Sequence, residues 1–226
     1  MIGHTLAKLY GVVLEAELNT HAEASGIRAP GQAGFRRTFS TIDHIFVLRC
    51  LIDGAKARKR RLYYCFVDFR KAFDTILRER LFQRLQELQI PSEMIWATHS
   101  LYAQVFGRVR CPGGLSDSIA STIGVKQGCP LSPTLFGLYI DEISDYILRA
   151  GGARSDLAGI PVHIMLYADD IILVSETQKG LQSHLRALDD FCTHWGLTVT
   201  LGKTKVMIFY TSRTVRSRAV LTAAVG

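Results

Sequence analysis

No apolar run in this 226-residue sequence approaches the roughly eighteen residues needed to cross a bilayer, so no membrane-spanning helix is expected. Cysteine is sparse and scattered. Cys50, Cys65, Cys111, Cys129 and Cys192 form no C-x-x-C pair, and no Cys/His cluster falls at zinc spacing. They read as reduced, mostly buried thiols of an intracellular protein, in the nucleus, the cytoplasm or both. Internal repeats and low-complexity linkers are absent, and the N-terminus lacks the pattern of a secretory leader. Its apolar residues alternate with Lys8, Glu15 and Glu17 in a helical rhythm. Acidic residues are the minority charge, 20 against 27 basic ones, which leaves +7 and a pI near 9.3. That balance favours polyanionic partners without naming them. What is present is globular: 48% of residues are hydrophobic and 21% charged, and the length suits one domain or one domain with a sub-lobe.

Leu6, Leu9, Tyr10, Val13, Leu14 and Leu18 recur at helical spacing, so the chain is expected to open with a core-facing amphipathic helix. After the loop Ala29 to Gly34 come Arg36 and Arg37, then a second helix from Thr41 through Ile52. An Arg pair just before a helix start suits a triphosphate, and an ordinary solvated loop is the alternative. Lys56 to Arg61 is the densest basic run, either a nucleic-acid contact or nuclear address, or simply the solvated end of a helix.

Leu62 to Val67 is continuous apolar sequence ending in Asp68, which predicts a buried strand carrying a carboxylate at its exit. A helix with Ile76, Leu77, Leu81, Leu85 and Leu88 on one face follows, and Asp74 serves as its cap better than Asp68 does. Pro91 and Ser92 start another helix, and Val105 to Gly114 reads as a hairpin. The loop Gly124 to Pro133 leads into a long helix closed by Gly151 and Gly152. Leu181 to Cys192 marks a helix ended by Gly196, and Leu197 to Val199 and Val206 to Phe209 read as strands around a Gly202–Lys203 turn. Residues 212–226 have no clear period and are expected to fray.

The stretch Ile164 to Val174 organises the rest. Two apolar strands flank Asp169 and Asp170, which fall at the tip of a tight turn. Two adjacent carboxylates between core strands repel each other unless a cation intervenes, and hard oxygens suit Mg²⁺. A solvated Asp-Asp turn is the alternative. With Asp68 added from an adjacent strand, three carboxylates would form a site for two Mg²⁺ ions that activate a 3′-hydroxyl and stabilise a pyrophosphate leaving group. A polymerase and a palm-like nucleotidyl cyclase both use such geometry.

Three segments in order, Phe66 to Asp74 (FVDFRKAFD), Gly124 to Pro133 (GVKQGCPLSP) and Leu166 to Asp170 (LYADD), closely resemble the reverse transcriptases of non-LTR (LINE-type) retrotransposons. Gln32 to Arg36 with Ser40–Thr41, and Gly202 to Lys205, extend the match to about Leu6 through Phe209. Viral RNA polymerases of this architecture usually carry Gly where Ala168 stands. The resemblance implies an α+β right-hand polymerase core with an antiparallel palm sheet packed on helices. Residues 1–61 would be mostly fingers and 62–211 mostly palm, with 115–135 at their junction. The implied activity is RNA-directed DNA synthesis, with two Mg²⁺ ions (Mn²⁺ as a substitute), an RNA template, a DNA primer and dNTPs.

The resemblance also implies roles. Asp68, Asp169 and Asp170 are the metal ligands, with Asp170 the weakest. Phe73 matches the ribose gate, whose ring excludes a 2′-hydroxyl; a core Phe at a strand–helix junction is the structural alternative, and one ring can do both. Phe69, Gln127 and Gly128 match nucleotide-binding positions, Lys126 and Tyr167 match nucleic-acid contacts, and Arg36 matches a fingers residue at the triphosphate. Lys203 matches the lysine that protonates or neutralises pyrophosphate.

Thr200 departs from the Asn common at its position. The expected thumb, N-terminal fingers segment, upstream endonuclease and downstream Cys/His knuckle are not found, so the chain reads as a fingers–palm piece of a larger element protein. Group II intron and telomerase-type enzymes are the alternatives within the class. An inactive remnant that only binds nucleic acid is the alternative outside it.

Overall fold

The computed structural model describes residues 5–103, 105–152 and 155–210, so the predicted frayed tail at 212–226 lies outside the described residues. In chain order the elements are α1 (Thr5–Ala24), α2 (Thr41–Ala57), β1 (Leu62–Val67), α3 (Ala72–Thr75), α4 (Arg78–Glu87) and α5 (Ser92–Tyr102). Four two-residue strands follow: β2 (Phe106–Gly107), β3 (Arg110–Cys111), β4 (Gly114–Leu115) and β5 (Ile119–Ala120). Then come α6 (Ser132–Ile140), α7 (Ile143–Arg149), β6 (Ser155–Leu157), β7 (Ile160–Val162), β8 (Ile164–Tyr167), β9 (Asp170–Ser175), α8 (Gln178–Trp195) and β10 (Lys205–Phe209). The chain divides into two compact units, Met1–Arg28 with Lys71–Tyr139 and Ala29–Arg70 with Ile140–Gly226.

The second unit is built on a four-stranded antiparallel sheet of order β10-β1-β9-β8. The apolar run 62–67 becomes β1, which sits inside the sheet with neighbours on both edges, as its unbroken hydrophobicity requires. Side chains alternate faces along a strand. Leu62 and Tyr64 therefore join Val174 and Met165 under Leu51 and Ala55 of α2, in a core that Leu48, Phe66 and Ile172 extend. Burial of Tyr63, Cys65, Val67, Ile171 and Leu173 shows that the opposite face is covered as well. Helix α8 packs against β1, β9 and α7 and presents Leu181, Leu185, Leu188, Phe191 and Trp195 as its buried side. Thr177 caps its start by accepting from Gly180 N–H at 3.0 Å, and Gly196 ends it in the left-handed conformation that a side chain would disfavour. Arg58 and Arg60 of the basic run both pair with Glu176 just past β9, so part of that run is neutralised by the unit's own acid.

The first unit packs α1 on α5 and α5 on α4. Only part of the α1 stripe is buried. Leu14, Leu18 and Ala22 are covered, whereas Leu6, Leu9, Tyr10 and Val13 are exposed, so the core-facing expectation holds for the later turns alone. The helix expected across Ile76 and Leu77 is interrupted there, because both residues adopt extended backbone. The carbonyls of Phe73 and Ile76 accept from Val125 and Gly124 N–H at 2.9 and 2.8 Å, which withdraws them from the helical ladder. The long helix after Pro133 likewise breaks between Ile140 and Ile143. Leu197 to Val199 forms a single antiparallel bridge, Phe69 to Val199, in place of a strand.

His184 on α8 is fully buried, 5.5 Å from the His163 ring, and its Nε2 lies 3.1 Å from the Gly151 carbonyl. Burial first, then the neighbouring His163, pushes its pKa down from 6.5 to about 4. Below its ordinary value the unfolded chain takes up a proton that the folded chain refuses, so this contribution to stability is full above pH 6.5 and is lost between about 6.5 and 4. Urea unfolding across that window is expected to show a falling midpoint for the wild type and a flatter profile for His184→Leu.

Candidate active site

The seven candidate residues Arg36, Asp68, Phe69, Tyr167, Asp169, Asp170 and Lys203 belong to the sheet unit. Phe73, Lys126, Gln127 and Gly128 belong to the other.

In the sheet unit, β8 and β9 are joined by Ala168 and Asp169, with Tyr167 paired to Asp170. Asp169 is therefore the tip of the turn and Asp170 the first residue of the outgoing strand. The last pair between β1 and β9 is Val67 with Ile171, and one further step of that register sets Asp68 opposite Asp170. Ala168 has a φ of 58°, left-handed backbone that costs a non-glycine residue about 1–2 kcal/mol. The turn holds that conformation because neighbouring chain packs tightly on it. Gly34 lies against the Ala168 backbone, where an added Cβ would overlap the nitrogen. Gln32, with no exposed surface, accepts hydrogen bonds from Gly34 N–H at 2.8 Å and Ala168 N–H at 3.1 Å.

Asp68 is fixed from the other side. Its carbonyl accepts from Thr200 N–H at 2.7 Å and its N–H donates to Thr204 Oγ1 at 3.4 Å. Lys203 and Thr204 N–H both return to the Thr200 carbonyl at 3.0 Å. Thr200 thus holds this turn through its backbone, which the departure from Asn leaves intact. Lys203 Nζ lies 3.4 Å from Asp68 Oδ1, with its side chain 70% exposed. Asp68 Oδ2 is buried and has no hydrogen-bond partner among the described residues. Partial burial, then the charges of Asp169 and Asp68, raise the Asp170 carboxyl above its ordinary range. An orphaned carboxylate oxygen beside mutually repelling carboxylates is the donor chemistry a divalent cation satisfies, so these residues fit one. Among the described residues no group of three or more His, Cys, Asp or Glu side chains stands where it could hold a metal ion, so the fit is one of donor chemistry.

Phe69 is buried and bridged to Val199. Tyr167 is partly exposed, edge-on to the His44 ring at 6.5 Å. Arg36 folds back on its own loop, Nη1 donating to the carbonyls of Gln32 at 3.1 Å and Ala29 at 3.3 Å, and its guanidinium lies 4.3 Å from the Phe39 ring centre.

In the other unit, Phe73 stacks on Phe136 with ring centres 4.1 Å apart and 17° between planes. The Phe73–Val125 backbone bond brings this ring's residue to the loop that carries Lys126, Gln127 and Gly128. Gly124 is required there: its φ is 75° and a Cβ would lie 2.7 Å from the Asp74 carbonyl oxygen. Gln127 and Gly128 are exposed, the latter at a φ of 79°. Lys126 is half-buried, 5.6 Å over the Tyr102 ring, and burial lowers its pKa.

Four residues that hold these groups escaped sequence reasoning. Tyr102 Oη accepts from Lys126 N–H at 3.2 Å and lies 3.3 Å from Ser132 Oγ, which donates to the Lys126 carbonyl at 2.6 Å. Arg78 donates to the carbonyls of Ser121, Ile123 and Gly124. Asp141 holds Gln32. A buried-side polar residue in an apolar helix face, as at Tyr102, was the available signal.

Residues 2–221 match the family model described as reverse transcriptase (RNA-dependent DNA polymerase). The chain belongs to that family. A Pol polyprotein from a type-2 retrotransposable element of Drosophila melanogaster is 28% identical over 190 residues, covering 84% of this chain and 18% of that protein. One from a type-1 retrotransposable element of Popillia japonica is 26% identical over 200 residues, 88% of this chain and 28% of the relative. The RNA-directed DNA polymerase from mobile element jockey of Drosophila funebris is 24% identical over 205 residues, 88% and 22%. The chain thus spans less than a third of these relatives, and the resemblance to non-LTR retrotransposon enzymes is borne out. Telomerase from Candida tropicalis, in complex with a fragment of telomeric RNA, superposes with a TM-score of 0.65 at 16% identity over 91% of this chain and 34% of that one. The Candida albicans structure gives 0.62 at 14% identity over 92% and 34%. The fold is the fingers–palm polymerase fold.

The close approach at Gly34 is testable. Gly34→Ala is expected to lower stability by about 1–3 kcal/mol in urea unfolding and to displace the turn, whereas Gly113→Ala, in open space, changes neither.

Proposed function

We propose that the chain carries out RNA-templated DNA synthesis, adding dNTPs to a DNA primer 3′-hydroxyl. The observation that supports this most is the convergence of Asp68, Asp169 and Asp170 at strand ends, with Asp68 Oδ2 buried and unpartnered, in a chain of the reverse transcriptase family. These carboxylates would hold two Mg²⁺ ions, with Mn²⁺ as a substitute. When bound, such ions lower the pKa of an attacking hydroxyl and offset the charge of the departing pyrophosphate. Asp170, whose carboxyl is raised by partial burial and by its neighbours' charges, contributes the weakest ligand. Lys203, 3.4 Å from Asp68 Oδ1, supplies a positive charge beside the leaving group. Gln127 and Gly128 meet the incoming nucleotide, and the Phe73 ring closes the space beneath C2′; Phe69 is likewise read as a nucleotide-binding residue. Arg36 acts toward the triphosphate from its stapled loop. Lys126 and Tyr167 contact the nucleic acid. Assignment of residues 1–61 mostly to fingers and 62–211 mostly to palm belongs to this reading, as does a nuclear or cytoplasmic location.

The test is extension of a DNA primer on an RNA template by the purified chain with Mg²⁺ and dNTPs, beside Asp169→Asn. Wild-type extension, reduced more than about a hundredfold in the variant, is expected, the scale on which a missing catalytic group acts. Equal extension by both proteins overturns the carboxylate assignment. Product from free triphosphate without primer points to a cyclase, and binding without extension points to a nucleic-acid-binding remnant.

Phe73→Ala is expected to raise ribonucleotide use relative to deoxynucleotide use about tenfold. It should also cost about 2 kcal/mol through the lost stack on Phe136. An unchanged ratio with lowered stability makes Phe73 a packing residue only.

A further inference from the structure

We propose that Gln32, held by Asp141, is a positioning residue that sets the left-handed Ala168 and so aims Asp169 and Asp170. The proposal rests on the reading of those aspartates as catalytic.

Gln32 is a fully buried amide, and a buried amide is tolerated only when its polar atoms are paired. Its bonding is complementary. Oε1 accepts from Gly34 and Ala168 N–H at 2.8 and 3.1 Å, and Nε2 donates to Asp141 Oδ1 at 3.1 Å. Two N–H groups on one side and a carboxylate on the other leave only this orientation of the amide. Asp141 Oδ2 also accepts from Ala29 N–H at 3.2 Å, so one carboxylate grips both ends of the segment 29–32. That segment lies parallel to β8, with Leu166 N–H donating to the Gly31 carbonyl and Ala33 N–H to the Leu166 carbonyl, both at 2.8 Å. The edge of β8 is thereby paired up to the turn, and Gly34 closes on the turn itself.

The consequence follows from chemistry at two N–H groups. Without an acceptor at Gln32, the buried N–H of Ala168 and of Gly34 lose their partner, and the left-handed turn loses a bond that holds it against its backbone cost. Asp169 is the next residue, so a change in Ala168 backbone angles moves its carboxylate directly. Displacements of about 1 Å at reacting groups are felt on the order of a hundredfold in rate.

Three variants separate positioning from general stability. Gln32→Met keeps the length and removes both polar functions. Gln32→Glu keeps an acceptor for the two N–H groups but sets a carboxylate against Asp141. Adding Asp141→Asn to Gln32→Glu returns a donor to that contact while retaining an acceptor for Ala29 N–H. In folded Gln32→Met, amide hydrogen exchange in the 165–170 segment is expected to accelerate about tenfold or more. The kcat for primer extension is expected to fall about ten- to a hundredfold, with dNTP KM and primer–template Kd within about twofold. The double variant is expected to recover most of the protection and kcat lost in Gln32→Glu alone. Unchanged exchange and kcat in folded Gln32→Met overturn the proposal. So does a double variant no better than Gln32→Glu, a comparison that decides even if Gln32→Met does not fold. Should the wild type extend no primer, the exchange data still report whether Gln32 holds the turn, and only the polymerase reading fails.

Discussion

Mutual repulsion among three carboxylates is the constraint around which this molecule is built. Asp68, Asp169 and Asp170 stand at the ends of strands that are otherwise apolar, and partial burial and shared charge already raise Asp170. Left to relax, such groups would part and turn outward to water. Asp170 is exposed, but Asp68 and Asp169 stay half-buried, because β1 is paired on both edges, the Thr200–Thr204 turn grips the Asp68 backbone, and the 29–34 segment grips the Ala168 turn. Paired backbone takes the place of favourable charge, and the sheet keeps three carboxylates whose oxygen chemistry suits a cation.

The second unit repeats the principle with a loop. The segment from Gly124 to Ser132 has little regular structure, yet it is tied by Arg78, Tyr102 and Ser132 through bonds to its backbone. Tethering the main chain leaves Gln127 and Gly128 exposed and available while their positions stay fixed. In both units the candidate residues are held by neighbours that bond largely to backbone.

The carboxylates were legible because charge interrupting an apolar strand is conspicuous in any window of sequence. β1, the acidic hairpin, α8 and its Gly196 stop were legible for the same reason: their signals are local and strong. Gln32 was visible only as part of a familiar segment, since its bond to Ala168 spans 136 residues and no period encodes it. The break at Ile76–Leu77 was hidden because the apolar spacing runs on unbroken across it, while the carbonyls that end the helix are taken by a loop some fifty residues away. In α1 the stripe was real but its covering was not in the sequence: periodicity tells which side of a helix is apolar, not how many turns find a neighbour.

The sheet order has a bearing on how the chain is made. β1 pairs with strands that begin at Asp170 and Lys205, so it emerges from the ribosome over a hundred residues before either neighbour exists. During that interval Leu62 to Val67 is six consecutive uncharged, aromatic-rich residues of high strand propensity, the composition of a self-associating segment. It is bracketed by Arg60 and Arg61 on one side and by Asp68 and Arg70 on the other. The basic run at the end of α2 thus places like charge directly beside this segment, the flanking pattern that opposes association of unpaired strands.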